Sequence, residues 1–113
     1  MVKVIITEYL FKKIRKTFNL NEANKILDLL ENLKESPKKG KEVGSIGNIV
    51  VKEIKYNKYR FYFITDRYKI KFLSSDELKD LMIKFVEMSE KKNQQKVIDE
   101  IKHILRLFGD EKF

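Results

Sequence analysis

The chain has 113 residues, 42% of them apolar, and carries 25 lysines and arginines against 17 aspartates and glutamates, a formal charge of +8. That length suits one domain, residues 1–113, around one hydrophobic core. With no cysteine and a single histidine, His103, a disulfide framework is excluded and a zinc site has almost no ligands to draw on.

The opening residues Met1 to Thr7 are too short and too polar for a signal peptide, and no apolar run approaches a membrane span. A cytoplasmic protein with no membrane association is expected. The positive balance raises the local concentration of polyanions. A lysine-rich composition can equally reflect coding bias or adaptation to heat, so the placement of the charges decides between the two.

Residues 2–6 are apolar and β-branched and predict a short strand. Thr7 is a suitable N-cap, and Leu10, Phe11, Ile14 and Phe18 follow at helical spacing. Asn19-Leu20-Asn21 interrupts this helix, with Asn21 able to cap the next. Ala23, Ile26, Leu27, Leu30 and Leu33 then form a second apolar stripe. Two amphipathic helices so closely linked predict an antiparallel hairpin. Ser36-Pro37-Lys38-Lys39-Gly40-Lys41 is the clearest breaker in the chain.

Beyond it the hydrophobic period changes. Ile49–Tyr56, Tyr59–Asp66, Tyr68–Ser74 and Leu81–Met88 predict the four strands of an antiparallel meander, with a wide turn over Ser75–Asp80. Val97, Ile98, Ile101, Ile104, Leu105 and Phe108 form a last helical stripe, which Gly109 is placed to cap. The fold class expected is α+β: a short N-terminal strand, a helical hairpin, a four-stranded meander and a C-terminal helix.

Strand side chains alternate between faces. Tyr59, Phe61 and Phe63, then Tyr68, Ile70 and Phe72, then Leu81, Ile83 and Phe85 suit burial against the hairpin. The opposite face would then carry Arg60, Tyr62, Lys69, Lys71 and Lys84. Cations for phosphates and a ring for bases are what single-stranded RNA requires. The register of Ile49–Tyr56 is open: Val51, Glu53 and Lys55 lie on the basic side in one register, Lys52 in the other. Lysines on an exposed sheet face can also serve solubility alone.

The order of elements resembles the RelE/ParE toxin superfamily. So do its local sequences: Gly44-Ser45-Ile46-Gly47-Asn48, then Glu53-Ile54-Lys55, then Tyr59-Arg60-Phe61-Tyr62-Phe63, with Glu90-Lys91-Lys92-Asn93 ahead of the last helix. The nearest likeness is to RelE- and HigB-like mRNA interferases. The resemblance implies the toxin of a type II toxin–antitoxin system, a cognate antitoxin as partner, and messenger RNA on the ribosome as target. It implies an endoribonuclease that needs no metal or other cofactor. A 2′-hydroxyl attacks the adjacent phosphate, and cations stabilise the charge that gathers on the phosphate oxygens.

By motif position Arg60, Lys55 and Lys91 would be the catalytic cations. Lys52, Tyr62, Lys69, Lys71, Lys84 and Lys92 would bind RNA. Arg60 could instead form a cross-strand ion pair with Glu53, and Lys92 could be a solvated turn residue. The chain departs from the family pattern in two places. Phe85-Val86-Glu87-Met88 stands where a Phe-x-Lys-Lys ending is common, and Val97 where a tyrosine often opens the closing helix. A ParE-like inhibitor of DNA gyrase, and a catalytically silent nucleic-acid-binding relative, are the alternative readings.

Overall fold

A computed structural model describes residues 1–113. The elements are β1 (Lys3–Ile6), α1 (Glu8–Thr17), α2 (Leu20–Glu31), β2 (Lys41–Ile46), β3 (Ile49–Tyr56), β4 (Tyr59–Asp66), α3 (Arg67–Phe72), β5 (Met82–Glu90) and α4 (Gln94–Phe108). The class is α+β. The strands form one sheet in the order β1-β5-β4-β3-β2, antiparallel throughout except for the parallel edge pair β1 and β5.

The helical hairpin forms for the reasons its sequence gives. The Thr7 hydroxyl caps α1 by accepting from the Leu10 amide. Asn19, rather than the expected Asn21, caps α2 by accepting from the Glu22 amide at 2.8 Å. The apolar stripes Leu10, Ile14 and Phe18, and Ala23, Ile26, Leu30 and Leu33, then cover one face of the sheet. There they meet Ile54, Phe61, Phe63, Ile83 and Phe85.

Two expected features differ. Tyr68–Ser74 is not a strand. The Asp66 carboxylate accepts from the Lys69 amide at 2.9 Å and starts α3, which places Tyr68 and Phe72 one turn apart with ring centroids 5.0 Å from each other. The meander still has four strands, because Lys41–Ile46, which was not expected as a strand, supplies β2. A register shift between Glu42 and Gly44 interrupts its pairing with β3.

The second face of the sheet is not open. Val51, Tyr62, Ile64 and Val86 are buried beneath Ile98, Ile101 and Leu105 of α4. No helix is long and apolar enough to cross a membrane.

Candidate nucleic-acid interface

β3 and β4 are joined by the tight turn Asn57-Lys58, in which Asn57 has a φ of 53°. The register places Lys55 directly opposite Arg60 and Glu53 opposite Tyr62, so Glu53 and Arg60 are diagonal neighbours. On the far side of β4, the Lys91 amide donates to the Lys58 carbonyl at 2.9 Å. That bond draws the turn before α4 against the β3–β4 turn. Two segments distant in sequence, the β3–β4 hairpin and the turn before α4, thus meet at one end of the sheet.

They line a cleft of about 770 Å³ that also takes in the end of α2 and the connection to β2. Its cations are Lys39, Lys41, Lys55, Arg60 and Lys91, and its carboxylates are Glu35 and Glu53. The three residues with the strongest motif support, Lys55, Arg60 and Lys91, are therefore brought together. Lys55 and Lys91 are exposed and form no ion pair.

Arg60 is held from two sides. Its Nη1 donates to the carbonyls of Asn57 at 3.3 Å and Tyr59 at 3.0 Å. Its Nε lies 3.6 Å from Oε2 of Glu53. Nη2 has no hydrogen-bond partner. The expected cross-strand pair with Glu53 is real, and it leaves that edge of the guanidinium unused. Glu53 is in turn fixed by Gln94, whose Nε2 donates to Oε1 at 2.7 Å. Oε2 is buried with no hydrogen bond, so Arg60 is the group that balances its charge.

The remaining sequence-derived candidates lie elsewhere. Lys52 is buried on the hairpin side of β3, where its ammonium donates to the Lys38 carbonyl at 3.0 Å. Burial there pushes its pKa below the ordinary lysine value, and the Glu42 carboxylate only partly opposes this. Tyr62 has no exposed surface beneath α4, and its hydroxyl lies 2.8 Å from that of Ser89; a base cannot stack on it. Lys69 and Lys71 sit on α3 at the opposite end of β4, with the Lys71 ammonium 5.5 Å from the Phe72 ring centre. The Lys84 ammonium donates to the Phe113 carbonyl at 2.8 Å. Lys92 lies outside the cleft and pairs with Glu90 at 3.3 Å. The continuous basic sheet face expected from alternation does not exist, because α4 occupies that face.

Gln94, Lys39 and Lys41 join the site without having been singled out in the sequence. The lysines flank Gly40 in a segment that reads as a solvated breaker, and Gln94 carries no motif. The clue for Gln94 was its closeness to Lys91 at the start of a helix. Val97 packs against the core beneath α4 and lines a groove beside α1, not the cleft. Val97 is therefore turned away from the cations.

Comparison with protein-family models, curated proteins and solved structures finds no match to this chain.

Proposed function

We propose that the chain is a RelE/HigB-like toxin of a type II toxin–antitoxin pair, which cleaves ribosome-bound messenger RNA without a metal ion. The observation that carries this reading is the convergence of Lys55, Arg60 and Lys91 on one open cleft, with Nη2 of Arg60 unpartnered there.

In-line attack by a 2′-oxygen builds negative charge on the non-bridging phosphate oxygens. Oriented donors already in place stabilise that charge without reorganising at the moment of reaction. Nη2 of Arg60 offers two N–H groups on a guanidinium whose other edges are anchored, and its planar fork matches a phosphate. Lys55 and Lys91 add mobile positive charge on either side, and Lys39 and Lys41 extend it along the strand's path into the cleft. As the 2′-oxygen bonds to phosphorus the bond to the 5′-oxygen breaks; the 2′-hydroxyl proton passes to solvent and the departing 5′-oxygen takes one from it, leaving a 2′,3′-cyclic phosphate and a 5′-hydroxyl. The antitoxin would silence the protein by covering these cations.

The test is cleavage of messenger RNA on purified ribosomes in the presence of a chelator, with the new ends mapped. Cleavage should leave 2′,3′-cyclic phosphates, and Arg60→Ala should slow it by about 10²- to 10³-fold. RNA that is bound but left intact would make this a silent binding relative. Growth arrest with intact RNA and inhibited gyrase would favour the ParE-like alternative.

A further inference from the structure

We propose that the cleft also reads a base, and that Glu35 selects guanine beside the scissile phosphate; this rests on the RNA-cleaving reading above. The cleft is two-sided. One side carries the phosphate-seeking cations Lys55, Arg60 and Lys91. The other is built by the end of α2 and the single 3-10 turn that follows it, and presents Leu29, Asn32, Leu33 and Glu35, with Ile54 between the two. Leu29 is half-buried at the cleft wall and offers an apolar edge to the flat face of a base, while Leu33 and Ile54 lie in the core beneath it.

Glu35 is the unexplained group. It is exposed and shares the cleft with five cations, yet it makes no ion pair and no hydrogen bond. A free carboxylate repels phosphate, so in a cleft that binds RNA it must be offset by donors on the ligand.

Base chemistry says which donors. A carboxylate accepts two parallel N–H bonds. Among the four bases only guanine places two donors side by side on its pairing edge, N1–H and the N2 amino group. Adenine and cytosine set one amino donor beside a ring-nitrogen lone pair, and uracil sets one N–H between two carbonyls. Each of these turns a lone pair toward the carboxylate, so selectivity arises from repulsion as well as attraction.

The test uses the full chain and 2′-O-methyl trinucleotides of sequence UXU, which cannot be cleaved because the attacking oxygen is blocked. Titration should show UGU bound about fivefold or more tightly than UAU, UCU and UUU. Glu35→Gln should bring the four to within about twofold of one another, and circular dichroism should be unchanged. Equal affinities for the wild type, or a guanine preference that survives Glu35→Gln, overturn this inference and leave the RNA-cleaving reading standing. No binding of any trinucleotide overturns this inference, and the RNA-cleaving reading is then decided by the ribosome assay alone.

Discussion

Arg60 and Glu53 are less than a tenth exposed, and they face each other diagonally across β3 and β4 with Nε 3.6 Å from Oε2. Neither charge has another ionic partner. Removing one therefore strands the other, which costs far more than the net worth of the pair. Glu53→Ala should lower stability by about 3 kcal/mol in urea unfolding. The double variant Glu53→Leu with Arg60→Leu should recover most of that loss, because it buries apolar groups in place of both charges. It should nevertheless cut RNA about 10²-fold or more slowly than the wild type. A double variant that folds and cleaves at the wild-type rate would sink the assignment of Arg60.

Gly40 holds the cleft-lining connection in a backbone conformation that other residues rarely adopt, with a φ of +106°. A Cβ there would stand 3.1 Å from the Phe63 ring and 3.2 Å from the Glu53 carbonyl. Strain and crowding act together, so Gly40→Ala should cost about 1–3 kcal/mol. Because Lys39 and Lys41 flank it, RNA affinity should weaken as well. Denaturant unfolding and an RNA titration of the same variant check both.

Tyr62→Phe separates packing from binding. The Tyr62 hydroxyl has only Ser89 as its partner, in a dry environment. Losing it should cost about 1 kcal/mol. Affinity for RNA should not change, since α4 covers the ring. A tenfold loss of RNA affinity would mean that α4 moves aside on binding.

Lys52 gives a pH dependence of defined sign. Burial depresses its folded pKa. Between that value and the ordinary lysine pKa of about 10.4, the unfolded chain holds more protons than the folded one. The Lys52 contribution to stability therefore rises with pH across that window. Lys13 contributes in the opposite sense. Burial alone would lower its pKa, but the Glu87 carboxylate 2.7 Å away raises it overall. Its contribution is complete below the ordinary lysine value and fades as pH climbs through the raised one. The measurement is thus a difference: urea midpoints of wild type and Lys52→Met from pH 7 upward, with the gap moving in the wild type's favour as pH rises.

The helices α1, α2 and α4, β1 and the strands β3 to β5 were legible because their periodicity is strong. Two misreadings share one physical origin. Tyr68, Ile70 and Phe72 alternate as a strand would, but Tyr68 and Phe72 are also one helical turn apart, and a six-residue segment cannot separate the two periods. The Asp66 cap was the deciding signal, and it lay outside the segment. On β4, alternation assigns Tyr62 to an open face. Yet Phe61-Tyr62-Phe63-Ile64 is an unbroken apolar run, which marks a strand covered on both sides. Lys41–Ile46 was unreadable as a strand because Gly44 and the shifted register beside it break the alternation. The cleft was half legible: motif order supplied Lys55, Arg60 and Lys91, whereas Glu35 and Gln94 enter only through chain folding.

The parallel pairing of β1 with β5 sets Lys3 beside Met82 and Ile6 beside Phe85. β1 can find its neighbour only after some eighty further residues have been made. Until then α1 and α2 have only part of a surface to rest on, and Lys91 and Gln94 have not yet reached Arg60 and Glu53. A nascent chain that stops short of Gln94 therefore carries an incomplete cleft, and whatever the cations do is withheld until the segment from Met82 to Gln94 has been made.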